Sequence, residues 1–304
     1  MKLYSLLNLF IAGVFSLFPV STCFSSQRHS LIIGNSKYET VPLVNPENDS
    51  KTMAQKLRTM GFKVDLYNEL SQKEMYDAID AFFTEKKQID EFLFFYAGHA
   101  IQVNGKNYLI PVDAKFESED FLSRLFDVRY LIDKISSMKS TGVKIVILDA
   151  CRDNPFSSNP LASSGLAEIS APSGTLIAFS TAPGKIAEDG EELNSPYVTN
   201  LLRSMSFPGR KIEDVFKEVR TKVKECTSGK QVPWEATSLE TDFCFLPPIQ
   251  PAKRNEKVKK TRLKLSKKKV AEVDRRCGKI LMKLSLGMEA LDSDEQDFLQ
   301  NSCR

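Results

Sequence analysis

Two side chains in this sequence are equipped for nucleophilic chemistry. Cys151 stands in Asp149-Ala150-Cys151-Arg152-Asp153, just after the apolar run Val143-Lys144-Ile145-Val146-Ile147-Leu148. His99 stands in Ala97-Gly98-His99-Ala100, just after Phe92-Leu93-Phe94-Phe95-Tyr96. A cysteine attacks a carbonyl as its thiolate, and a neighbouring imidazole accepts and returns the proton that acyl transfer moves. The chain has only two histidines, His29 and His99. His29 comes before the first strand, so a histidine base would be His99. Both reactive residues fall where a short buried strand runs out, and ligands gather outside the carboxyl ends of strands in an open parallel sheet. Glu91 to Cys151 is therefore the stretch that the other elements must hold in place.

Those elements can be read in order. Ser30 to Gly34 is a short buried strand. Asn45 and Pro46 mark the N-cap and first turn of a helix with Met53, Leu57 and Met60 on one face, and Gly61 ends it. Phe62 to Leu66 is a second strand. Ser71 and Glu74 form a capping box ahead of Met75, Ile79, Phe82 and Phe83, which recur at helical spacing. Gln102 to Tyr108 is a hairpin turning on Asn104-Gly105, and Val128 to Met138 is a helix. Asn154 to Gly174, rich in Ser, Pro, Ala and Asn, is a long loop of the kind that carries function in a compact domain. Thr175 to Ser180 is a strand, Ser195 to Met205 and Ile212 to Cys226 are helices, and Asp242 to Leu246 is a last short strand. Strands alternating with helices predict an α/β fold, a mostly parallel sheet covered on both faces.

The chain's 304 residues are 42% hydrophobic and 27% charged, which suits one large core and a small appendage. Its net charge of +3 gives no reason to expect a specific nucleic-acid partner. Residues 1–26 read as a secretory signal: Lys2, an uncharged apolar run from Leu6 to Val20, then small and polar residues. A membrane helix is the competing reading, although the run is short for a span. Cys23 would accept a lipid after cleavage if the segment is a lipoprotein leader, but Thr22 fits that motif poorly. The expected location is thus periplasmic or secreted. Residues 27–248 form the main domain and 249–269 a basic linker rich in Pro and Lys. That linker is either a solvated tether or a contact for an anionic envelope surface. Residues 270–304 form a helical hairpin of Val270 to Leu284 and Ser293 to Ser302, with Ser293 and Gln296 as a capping box. Export makes disulfides permissible, and the cysteines pair locally as Cys226 with Cys244 and Cys277 with Cys303. A hairpin this small needs such a staple.

From Arg28 to Pro247 the sequence resembles the caspase-like cysteine peptidases of family C14, in the bacterial branch close to metacaspases. The blocks that carry the likeness are Leu31 to Asn35, Asn45 to Asp49, Phe95 to His99, Asn107 to Asp113, Leu148 to Phe156, Ser180 to Gly184 and Gln231 to Trp234, in that order. A histidine about 50 residues before the cysteine is also the family's local signature. The resemblance implies the caspase-hemoglobinase fold with a six-stranded sheet, and an endopeptidase whose catalytic dyad is His99 and Cys151. It implies an oxyanion site made by the backbone N–H groups of Ala100 and Cys151. Ala100 replaces the family's usual glycine, which leaves the N–H but not a glycine-only backbone angle.

The same comparison implies the specificity. Members that cut after aspartate line the first pocket with arginines and a glutamine; this chain has Asp149 and Asp189 at two of those positions, and Val41 to Asn45 contains no arginine. Such a pocket favours Lys or Arg. Glu188 is an alternative to Asp189, and Asp149 is alternatively a structural cap on nearby N–H groups. No Cys-x-x-Cys and no histidine cluster points to a catalytic metal, and no cofactor is expected. Calcium activates some metacaspases. The acidic residues Glu117, Glu119, Asp120, Glu188, Asp189, Glu191 and Glu192 are its candidate ligands here, without a recognised loop spacing. The competing function is a non-catalytic module that binds a partner through the same cleft and its basic tail.

Overall fold

A computed structural model describes residues 26–86, 88–115, 120–138, 142–151, 162–163, 166–183, 193–249, 275–283 and 291–303. Residues 1–25 of the expected leader, Glu117, Glu119, residues 184–192 and residues 250–269 of the expected linker lie outside the described residues. The chain divides into two compact units at Ile249 and Gln250.

In the first unit, strands β1 (Arg28–Gly34), β2 (Lys63–Asn68), β3 (Glu91–Val103), β6 (Lys144–Cys151), β8 (Thr175–Phe179) and β9 (Trp234–Thr237) form the main sheet. Their order is β2-β1-β3-β6-β8-β9, parallel throughout except for the antiparallel edge strand β9. The fold is the expected α/β sheet with helices on both faces. β3 is central because both its faces are covered, which is why its sequence is almost unbroken apolar. Leu93, Phe95 and Ala97 join one core cluster with α1 (Pro46–Thr59), α4 (Pro196–Ser204) and α5 (Ile212–Cys226). Phe92, Phe94 and Tyr96 join the other with α2 (Gln72–Glu85) and α3 (Val128–Ser136). Beyond His99, β3 leaves the parallel sheet. It pairs antiparallel with β4 (Lys106–Leu109) through a tight turn whose Asn104 and Gly105 both have positive φ, and with β7 (Ala162–Ser163). β5 (Phe126–Asp127) extends β4.

Local expectations hold where the signal is chemical. Ser71 and Glu74 form the capping box of α2. Asn45 does not cap α1 with its side chain; the loop folds back so that Ser36 Oγ accepts the Glu47 N–H at 2.9 Å instead. This brings α1 hard against β1, and a Cβ on Gly34 would lie 2.6 Å from the Pro46 carbonyl oxygen. Asp242 to Leu246 is not a strand. Phe243 and Phe245 bury their rings in the core while Cys244 makes only an isolated bridge with Lys211. The last strand is instead Trp234–Thr237, a short edge strand with no buried residue and so little apolar signal in its sequence. The stretch read as one long loop after Cys151 contains β7, and Leu166 is buried in the core. Arg28 ties the C-terminal segment down. It pairs with Glu91 and donates to the carbonyls of Met60 (2.8 Å), Phe245 (2.9 Å) and Cys244 (3.1 Å).

The expected Cys226–Cys244 bridge is absent, and both thiols are free. Cys226 ends α5, whereas Cys244 sits beside Lys211 at the other end of that 15-residue helix. A helix of that length separates them by about 20 Å, far beyond disulfide reach.

His29 lies inside β1, buried, with its ring edge toward Phe82. Burial first, then the charges of Lys63 and Lys86, lower its pKa against the opposing pull of Asp65 and Asp90. The unfolded chain therefore binds a proton that the folded chain resists, so stability must fall as pH drops below the ordinary histidine value of 6.5. The urea midpoint should decline between pH 7.5 and 5.5 by ~0.1 M or more, and less steeply in His29→Gln. Equal declines in both proteins would clear His29 of the effect.

In the second unit, residues 275–283 form helix α6 and Ser293–Ser302 form α7. Cys277 and Cys303 are bridged (S–S 2.07 Å). Lys283 pairs with Glu295 at 2.6 Å and Arg276 lies over the Phe298 ring. The capping box of α7 is Asp292 with Glu295, one residue earlier than Ser293 with Gln296. Both pairs have the required spacing; the aspartate carboxylate is the stronger acceptor for the first-turn N–H groups.

Candidate active site

β3 and β6 pair in parallel from Phe92↔Lys144 to His99↔Cys151, so positions 99 and 151 are direct neighbours across the ladder at the carboxyl end of the sheet. Two residues earlier the same register pairs Ala97 with Asp149. His99 is 2% exposed, and its Nε2 lies 2.8 Å from the Val41 carbonyl oxygen. A carbonyl only accepts, so Nε2 carries the hydrogen and Nδ1 is the acceptor nitrogen of the neutral ring.

The histidine's backbone is held as firmly as its ring. The Tyr96 hydroxyl donates to the His99 carbonyl at 2.9 Å, and the Tyr38 oxygen accepts the His99 N–H at 2.9 Å. The Tyr38 hydroxyl donates in turn to the Ile110 carbonyl at 3.2 Å, and the Tyr38 ring packs 4.5 Å from the imidazole. Sequence reasoning assigned no role to Tyr38 or to the Val41 carbonyl. Gly98 makes this clamp possible, with φ +153° and no Cβ where one would meet both tyrosine hydroxyls at 2.6 Å. Gly98→Ala should therefore cost about 2–4 kcal/mol, combining backbone strain with loss of the clamp's hydrogen bonds. A denaturant titration reads this directly; a midpoint equal to wild type would show that the clamp does not depend on the missing Cβ.

Ala100 lies within β3 and is not among the positive-φ residues, so alanine adopts the backbone angle required here without strain. The Ile110 N–H donates to the His99 carbonyl (3.0 Å), and Ala100 pairs with Leu109. Antiparallel ladders alternate, so a bonded position at His99 turns the Ala100 N–H away from β4.

Near this pair, along the same strand end, two carboxylates are buried and joined by one serine. Asp149 is 7% exposed and its Oδ2 accepts the Ser195 hydroxyl at 2.6 Å. Asp49, in the first turn of α1, is 1% exposed, and its Oδ1 accepts Asn194 Nδ2 (2.7 Å) and the Ser195 N–H (3.1 Å). Ser195 thus joins the two acids, while its oxygen also accepts the Val198 N–H and caps α4. Asp149 thus binds the residue that caps α4. Asp49 belongs to a block recognised in the sequence but received no role, because a carboxylate in a helix's first turn has an ordinary electrostatic explanation. Asp189 and Glu188 lie outside the described residues. Among the described residues no group of three or more His, Cys, Asp or Glu could hold a metal ion, and Asp120 pairs with Arg124.

A family model for the caspase domain, peptidase C14, matches residues 27–244. The chain belongs to that family. Members of this caspase-domain family are cysteine peptidases, and their substrates are polypeptides. Mucosa-associated lymphoid tissue lymphoma translocation protein 1 of Homo sapiens is 27% identical over 228 residues, which are 73% of this chain and 27% of that one. Its homologue in Mus musculus is 26% identical over 230 residues, again 73% and 27%. The caspase-domain chain thus spans about a quarter of the length of the curated relatives it matches. Among solved structures, the Drosophila initiator caspase Dronc superposes with TM-score 0.56 at 14% identity, covering 81% of this chain and 97% of that one. Caspase-1 from Spodoptera frugiperda gives TM-score 0.56 at 19% identity, covering 73% and 92%. At these identities the two structures speak for the caspase fold alone.

Proposed function

We propose that this chain is a cysteine endopeptidase that cuts after Arg or Lys with His99 and Cys151 as its dyad. The observation that carries the proposal is the register that makes 99 and 151 neighbours, together with the Nε2 bond to Val41 that dedicates Nδ1 to proton exchange. The Cys151 thiolate adds to the scissile carbonyl, and the N–H groups of Ala100 and Cys151 stabilise the oxyanion. The imidazolium gives its proton to the leaving amine as the C–N bond breaks, leaving a thioester. Water then attacks the thioester, its proton goes to His99, and the acid departs as the thiolate re-forms. Asp149 and Asp49 are the acidic lining that receives the basic side chain; Asp189 is a further candidate. No specific observation favours the non-catalytic module. The leader supports export, and calcium is retained as a candidate activator.

A library of random peptides incubated with the full chain tests this reading. Cuts should follow Arg or Lys and disappear in Cys151→Ala; cuts after Asp, or cuts that survive the substitution, would refute it. Self-processing adds a second check. Asp153 to Gly184 contains neither Lys nor Arg, whereas Lys253 to Lys269 is rich in both. Purified protein should stay uncut within 153–184 and lose its tail within the basic linker, in a Cys151-dependent way. A Cys151-dependent cut inside 153–184 would contradict the basic specificity.

A further inference from the structure

A single loop, residues 36–43, fixes His99 at three points. The Val41 carbonyl takes the ring's Nε2–H, the Tyr38 oxygen takes the backbone N–H, and the Tyr38 ring packs against the imidazole. That loop closes on Ser36. The Ser36 carbonyl accepts the N–H groups of Tyr38 at 3.0 Å and Leu43 at 2.9 Å, while its hydroxyl oxygen accepts the Glu47 N–H. Ser36 is held in turn by a carboxylate from another part of the chain. Glu69 Oε2 accepts the Ser36 N–H at 3.0 Å and the Lys37 N–H at 2.9 Å, and its Oε1 faces the Lys37 ammonium at 3.8 Å.

Glu69 does this from a backbone angle that glutamate rarely adopts. It follows β2 with φ +57°, in the left-handed region. Asn104, at a similar φ of +50°, is of the type that takes such angles readily in a turn; a long acidic side chain is not. The chain on both sides is pinned to the end of β1. The Glu69 N–H donates to the Gly34 carbonyl at 3.0 Å, and the Leu70 N–H donates to Asn35 Oδ1 at 3.0 Å. Strain that surrounding bonds maintain collects at functional sites. Here its product is a carboxylate aimed at two successive N–H groups of the loop that carries Tyr38 and Val41. We propose that Glu69 is a positioning residue for catalysis: it sets the 36–43 loop, and through that loop the orientation of His99. The inference rests on the reading above, that His99 is the acid–base of a cysteine peptidase. Bonds from N–H groups to a carboxylate are stronger than bonds to a neutral oxygen, which suits an anchor that must hold a loop of eight residues in one register.

The test uses the full chain and a peptide with Arg before the cut, with Cys151→Ala as the blank. Glu69→Gly removes the carboxylate and supplies the residue that takes φ +57° without strain, so its thermal midpoint should lie within about 4 °C of wild type. Its kcat should nevertheless fall roughly 10- to 100-fold with KM within about twofold, the size of effect that a small misplacement far from the chemistry produces. Glu69→Gln keeps an oxygen for the two N–H groups and should recover kcat to within about fivefold of wild type. The deciding comparison is made in the His99→Gln background, with single-turnover rates at excess enzyme so that slow variants stay measurable. There Glu69→Gly should change the rate by less than about twofold, because a residue that acts only through His99 has nothing left to position. Glu69→Asn, which also tolerates a positive φ and is one methylene shorter, reads the same cycle should the glycine variant fail to fold. An unchanged kcat in the folded variants, a raised KM in place of a lowered kcat, or the same factor lost with and without His99 would overturn the inference and leave the dyad standing. Absence of Cys151-dependent cutting in wild type, or wild-type kcat/KM in His99→Gln, would instead remove the reading on which it rests.

Discussion

His99→Gln is expected to lower kcat/KM on a basic peptide substrate by roughly 10²–10⁴, the range that a positioned general acid–base supplies. Cys151→Ala should abolish covalent turnover altogether. The glutamine keeps a donor for the Val41 carbonyl, so the loop after β1 should stay seated and stability should change by less than about 1 kcal/mol. That separates the chemical role from the structural one. The imidazole is enclosed by Tyr38 and fixed through Nε2 at 2.8 Å from Val41, so no rotation of the ring is needed between steps. If the loss came from misfolding, the denaturation midpoint would fall with it. The double variant should be no worse than Cys151→Ala alone, because residues acting as one unit are not additive. A His99→Gln protein with wild-type kcat/KM would mean that the proton is handled elsewhere.

The second large effect concerns the two buried acids. Asp149→Asn should reduce kcat/KM for Arg and Lys substrates by roughly 10²–10³, since removing one partner of a buried charge pair costs about 3–5 kcal/mol. Asparagine keeps an oxygen for the Ser195 hydroxyl, so the cap on α4 survives. Asp49→Asn likewise keeps an acceptor for Asn194 and for the Ser195 N–H, and should cost a similar factor. In neither variant should stability fall by more than about 1 kcal/mol, because each substitution also removes a buried charge. The two losses should not simply add, because Ser195 couples the carboxylates. Matched substrates with Arg, Lys, Gln and Asp before the cut, read as kcat/KM, measure this. A uniform loss across all four would place the acids in the scaffold rather than in recognition.

How far the sequence shows these features depends on whether the signal is local. Cys151, His99 and Asp149 could be found because each follows an apolar run, and a parallel sheet gathers such runs' carboxyl ends on one edge. Asp49 could not be weighted in this way. It lies on another element, in a helix first turn where acids are common, and only the fold brings it within one residue's reach of Asp149. Tyr38 and Val41 were equally silent: one acts through a hydroxyl, the other through a carbonyl that any residue would provide. The edge strand Trp234–Thr237 was missed because it is short and half exposed, while Phe243 and Phe245 imitated a strand by alternating around Cys244. Cys226 and Cys244 are close in the chain but are held apart by the length of α5, which a count of cysteines cannot show.

The most direct measurement is covalent. The full chain treated with a peptidyl-Arg chloromethyl ketone should gain one label, mapped to Cys151, and His99→Gln should slow the labelling. Excess Arg peptide should protect the thiol. Label on Cys226 or Cys244 with Cys151 unmodified, or labelling at Cys151 that ignores both His99 and the Arg peptide, would contradict the account.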